Sequence, residues 1–102
     1  NRLLLKLSLL LFDGRFYSEA LENFSRMAAT ITKPQEQVVE FYLVSVWQGI
    51  LLDLLGERER ALTHYRNALS TGLDPSIQHS QYDLILDRGF VEDRIERPFK
   101  RD

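Results

Sequence analysis

The sequence predicts an all-α fold: a helix-turn-helix solenoid of about two repeats, closed by a C-terminal capping helical segment. Three observations carry this. Apolar residues recur at three- and four-residue spacing through most of the chain, the period of a helix with one buried face. Glycine and proline fall between those stretches, Gly49 excepted. The chain also resembles itself at an offset of 41 residues, which aligns Ser8 with Gly49, Leu10 and Leu11 with Leu51 and Leu52, Ala20 with Ala61, Phe24 with Tyr65, and Pro34 with Pro75. With 102 residues, one core is expected. Residues 1–33 form a degenerate first unit, 34–75 a clear second unit and 76–102 the cap.

In the first unit, Leu4, Leu7, Ser8 and Leu11 make the stripe of an opening helix, and Asp13-Gly14 the turn. Ala20, Leu21, Phe24, Met27 and Ala28 face inward from the next helix, and Thr30 to Lys33 is its frayed end. The run Leu3–Phe12 is not read as a signal peptide: Lys6 interrupts it and no small-residue cleavage site follows. It is also far short of the roughly twenty residues of a membrane helix. A chain opening on Asn1 is expected of a fragment of something longer.

In the second unit, Pro34 suits a first helical turn, where its missing N–H costs nothing. Val38, Phe41, Tyr42, Ser45, Gly49 and Leu52 continue that helix to about Leu55, and Gly56 stops it with the left-handed conformation glycine tolerates. A partner helix starts near Glu57 and carries Ala61, Leu62, Tyr65, Ala68 and Leu69 on one face, until Gly72 and Pro75 end it. The alternation of small and large residues has a physical purpose. Two helices joined by a short turn draw close only where Gly49 and Ala61 leave room, and Tyr65 fills the space beyond.

In the tail, Tyr82, Ile85 and Leu86 make one short apolar stripe, Asp87 caps a new helix, and Phe90, Val91 and Ile95 form its inner face. Arg97-Pro98 ends it, and Phe99 is placed to tuck back onto the body.

These residues resemble the tetratricopeptide repeat family. Gly49, Gly56, Ala61, Tyr65, Ala68 and Pro75 carry the resemblance, and Ser8, Gly14, Ala20, Phe24 and Pro34 echo it. The departures are a 41-residue period where about 34 is usual, Met27 where the family favours alanine, and Gly14 one place early. The resemblance implies a right-handed solenoid whose first helices line a concave groove for peptide segments of other proteins. The groove positions would be Leu43, Val46, Trp47, Ile50, Asp53 and Leu54, with Leu5, Leu9 and Phe12 in the first unit. A subgroup of the family grips C-terminal carboxylates with cationic groove residues. None stands here, so no carboxylate-clamp ligand is expected.

The helix over residues 36–55 is apolar almost all round. Either other parts of the same chain, the tail included, cover it, or Leu43, Val46, Trp47 and Ile50 present a surface for an amphipathic helix or a second copy.

Other chemistries find little support. The chain has no cysteine and a net charge of −2, which leaves no thiolate site and no field to draw in nucleic acid. His64 reads as a surface histidine; His79 and Asp83 stand four apart but lack a third metal ligand. Arg58, Arg60 and Arg66, interleaved with Glu57 and Glu59, read as a solvated helix face, and Arg88-Gly89-Phe90 lacks the sheet an RNA-binding signature needs. Asn23-Phe24-Ser25 matches a glycosylation triplet in mid-helix by chance. No catalytic residue, metal or cofactor is expected. The reading is a non-enzymatic, cytoplasmic scaffolding module that binds a peptide or helix, with no nucleic-acid or membrane role. The alternatives are an accessory helical domain of a larger enzyme or secretion component, and a self-associating structural module, a homodimer among its forms.

Overall fold

A computed structural model describes residues 2–79 and 84–101. The protein is all-α. Helices α1 (Arg2–Asp13) and α2 (Tyr17–Ala29) form one hairpin, and α3 (Val38–Leu54) and α4 (Arg58–Leu69) a second. Strands β1 (Gln78–His79) and β2 (Leu84–Ile85) make a two-residue antiparallel bridge, and α5 (Arg88–Glu96) packs on α4. No helix among the described residues is long and apolar enough to cross a membrane.

The offset of 41 extends to the main-chain hydrogen bonds of the turns. Phe16 N donates to Leu11 O and Glu57 N to Leu52 O, both at 2.8 Å; Gly14 N donates to Leu10 O and Leu55 N to Leu51 O, both at 3.0 Å. Arg15 N to Phe12 O and Gly56 N to Asp53 O repeat the agreement at 3.1 Å. Both first helices therefore end in the same six-to-one closure, which needs one left-handed residue. In the second hairpin that residue is Gly56, at φ 79°, as its sequence position predicts. In the first it is Arg15, at φ 66°, and not Gly14. Gly14 donates the ordinary helix-terminal bond one place earlier, so its glycine serves a different need: a Cβ there would lie 2.9 Å from Phe16 Cδ2.

The hairpin interfaces follow the predicted small-to-large logic. Ala20, Phe24, Ala61, Tyr65 and Ala68 are fully buried, and no strand interrupts 38–69. A Cβ on Gly49 would stand 2.4 Å from Tyr65 Cε1, so only glycine permits this approach of α3 to α4. Ser8 holds the equivalent place in α1, buried, with its hydroxyl donated back to Leu4 O at 2.6 Å.

Three expectations need correction. Pro34 does not open α3. Lys33 O accepts from Glu36 N and Gln37 N in a separate turn, and the backbone leaves helical geometry at Gln37 before restarting at Val38. Leu7 does not face inward but is half exposed, beside Leu3 and Leu10, on the outer side of α1. The segment before α5 is extended: Ile85 lies exposed in β2 while Leu86 is buried and donates its N–H to Ile77 O. Tyr82 falls outside the described residues. The start of α5 is as expected, with Asp87 accepting from Phe90 N at 2.8 Å.

Candidate functional site

Helix α3 is wrapped on three sides, which explains its lack of a polar face. Gly49 meets α4, where the Tyr65 ring lies over it. Trp47 looks toward the first hairpin, where the Phe24 ring stacks on it (5.6 Å, 8°) and Phe12 meets it edge-on (4.9 Å, 71°). On the remaining arc, Tyr42 donates its hydroxyl to Leu86 O at 3.0 Å and Asp53 accepts from Phe99 N at 2.9 Å. The stretch from Leu84 to Arg101 thus runs along the face assigned to a groove.

That arrangement corrects the groove assignments. Val46, Trp47 and Ile50 are fully buried core residues, because the chain's own first hairpin and tail cover them. Leu43 and Leu54 are partly buried against the core, as are Leu5 and Leu9; Phe12 is core, 1% exposed. Leu43 also borders a pocket of about 180 Å³ shared with Leu5, Met27, Ile31 and Val44.

Asp53 is the exception that organises the face. Its side chain is 1% exposed, and a buried carboxylate is tolerable only when its oxygens are fully engaged. Tyr65 OH donates to Oδ2 at 2.8 Å, Arg58 Nη1 reaches both oxygens at 3.1 and 3.0 Å, and Phe99 N supplies the third partner. Arg58 Nη2 turns outward from this pair to donate to Arg94 O at 2.7 Å and Ile95 O at 2.9 Å, carbonyls in the last turn of α5. Asp53 and Arg58 together therefore read main-chain groups of the tail, one accepting an N–H and the other serving two carbonyls. Burial, with the negative charge of Asp53 beside it, pushes the Tyr65 hydroxyl pKa well up, which keeps it a donor at any ordinary pH. Burial also raises Tyr42 to about 12.

The first hairpin supplies the neighbouring contact. Phe99 is 8% exposed and packs against Phe12 and Phe90 at ring separations of 6.4 and 6.2 Å. The Arg101 guanidinium lies 4.5 Å from the centre of the Phe12 ring, donates to Phe12 O, and reaches Asp13 O and Oδ1 at 3.3 Å and the Tyr17 hydroxyl at 3.5 Å. Phe12 is the 41-offset equivalent of Asp53, and Tyr17 that of Arg58. The same two positions of each hairpin thus meet the tail, through a carboxylate and a guanidinium in the second and through an aromatic ring and a phenol hydroxyl in the first.

Comparison with protein-family models, with curated proteins and with solved structures finds no match for this chain. The site rests on its own geometry.

Arg58 is the residue that sequence reasoning misplaced. Its neighbour Arg60 does form the expected exposed pair with Glu57, at 3.0 Å, but Arg58 is turned inward. The signal available was its position five residues after Asp53, the lone charge in an apolar run. His64 is half-buried rather than outward, and burial, then Arg60, lowers its pKa. Asn23 is buried in α2, which leaves its triplet closed to a glycan. Arg88-Gly89-Phe90 opens α5. Asp83, the expected companion of His79, lies outside the described residues.

Proposed function

We propose that this chain is a non-catalytic interaction module of tetratricopeptide type, a short helical solenoid whose inner face holds an extended segment of another polypeptide. The observation that carries the reading is the seating of residues 97–101. A non-helical stretch lies across both hairpins, held by a main-chain hydrogen bond to Asp53 and by an aromatic and a cationic side chain at Phe12. The matched hydrogen bonds at an offset of 41 support the repeat character. Asp53 disfavours a terminal carboxylate at this seat, so the ligand is an internal or cationic stretch.

Selection from a random peptide library on the immobilised chain, followed by NMR titration, tests the reading. Shifts concentrated at Leu9, Phe12, Asp53 and Leu54 are expected. Selected peptides that perturb only the outer helices would remove it.

A second reading, association through α1, rests on a separate observation. Leu3, Leu7 and Leu10 are 79%, 50% and 55% exposed, whereas their equivalents Val44, Gln48 and Leu51 are buried. Those three lie on the side of α3 away from Asp53, toward the first hairpin, so the equivalent side of α1 is shaped to accept a further helix. Light scattering of the chain and of Leu7→Glu checks it: self-association in the first and its loss in the second is the expected pair of results.

A further inference from the structure

We infer that the inner face recognises an extended segment carrying an aromatic residue two places before an arginine, and that residues 97–101 are a built-in occupant which such a ligand must displace. This rests on the proposed peptide-holding role and names its ligand. The spacing follows from the two hairpins. Asp53 takes the main-chain N–H of Phe99, whose ring packs against Phe12; two residues on, Arg101 stacks on the Phe12 ring itself and bonds to the end of α1. Two residues of extended chain advance about 6.6 Å and return the side chain to the same face, so Lys100 between them is exposed and free to vary.

Both side chains are matched by their surroundings rather than merely covered. The phenyl ring enters an aromatic cluster of Phe12 and Phe90. The guanidinium finds a ring face, two main-chain carbonyls and the Asp13 carboxylate, a set that a lysine ammonium fits less well because it lacks the planar fork. The built-in segment begins one residue after α5, and a tether this short gives it a millimolar effective concentration. A free peptide therefore meets strong intramolecular competition.

The experiment uses the full chain, wild type and Phe99→Ala/Arg101→Ala, with a fluorescent acetylated peptide of sequence Arg-Pro-Phe-Lys-Arg. A control peptide carries alanine for phenylalanine and for the last arginine. Fluorescence anisotropy is expected to show at least tenfold tighter binding of the peptide to the double variant than to wild type, and at least tenfold preference over the control. Circular dichroism establishes that the variant keeps its helices; if it does not, Arg101→Ala alone, with wild-type aromatic packing, replaces it and is expected to show the same order. A folded variant that binds neither peptide overturns both this inference and the peptide-holding role. One that binds peptide and control equally overturns the aromatic-x-arginine rule and leaves the role standing. Equal binding by wild type and variant overturns the built-in occupant.

Discussion

In the second hairpin a Cβ on Gly49 would come within 2.4 Å of the Tyr65 ring, whereas at the equivalent place in the first hairpin Ser8 is accommodated and turns its hydroxyl back onto its own helix. The two hairpins share their turn hydrogen bonds and yet differ in how near the helices come. The closer pair is the one whose ring carries a hydroxyl that must reach Asp53, and the looser pair ends in Phe24, which has nothing to reach for. Tight crossing and polar function are thus linked in one hairpin, while the other supplies aromatic bulk.

The largest test of that difference is a methyl group. Gly49→Ala forces the methyl against a ring fixed at its far end by Asp53, and overpacking of this kind costs about 3 kcal/mol. In a domain of this size the melting temperature should fall by roughly 15 °C. Ser8→Ala removes only a hydroxyl bonded within its own helix and should stay within about 1 kcal/mol. Thermal unfolding of the two variants reads the comparison directly; equal losses would mean that the crossings are equally tight.

A smaller effect is expected at the hydroxyl itself. Tyr65→Phe keeps the ring but takes one donor from a buried carboxylate, a loss of about 2 kcal/mol. Urea unfolding should show this cost as a lower midpoint at unchanged slope. A midpoint equal to wild type would mean that Arg58 and Phe99 N satisfy Asp53 without help.

How much of this the sequence showed follows from the range of each interaction. Gly56 and Asp87 were legible because a left-handed residue and a side-chain cap are decided within a few residues. Ala61 and Tyr65 were legible because a close helix crossing leaves a size pattern. Arg15 was not, since glycine one place earlier supplied the more familiar signal while the backbone placed its left-handed residue on an arginine. The burial of Trp47 depends on Phe12 and Phe24, more than twenty positions back in the first hairpin, and the face beside Asp53 is covered by a tail 46 positions on. The apolar count of α3 alone could therefore not distinguish a covered face from an open one. Arg58 was hidden for the same reason: its inward turn is set by the carbonyls of α5, more than thirty residues on.

The turns offer a paired test below that in size. Gly56 has open space where a Cβ would go, so Gly56→Ala isolates the cost of a left-handed backbone, about 1 kcal/mol. In the first hairpin the backbone term reverses. Arg15→Gly relieves the same strain but gives the unfolded chain more freedom and gives up the arginine's own contacts, so it should cost less than Gly56→Ala. Chemical denaturation of both variants checks the pair. An Arg15→Gly that costs as much as Gly56→Ala would show that contacts of the arginine side chain outweigh the backbone term.

The smallest effect sharpens the comparison most, because it contrasts surfaces that the repeat makes equivalent. Leu7 is half exposed and Gln48, its counterpart in α3, is 7% exposed. Leu7→Glu should change the stability of the isolated chain by no more than about 0.5 kcal/mol, the usual range for a surface position. Gln48→Glu places a charge in a covered interface and should cost several times more. Equal and small effects would show that Val44, Gln48 and Leu51 are loosely packed and that the outer side of α1 is no special surface. A large loss at Leu7 at high protein concentration, vanishing on dilution, would instead locate a helix partner on α1, because only an assembled state can make an exposed leucine count toward stability.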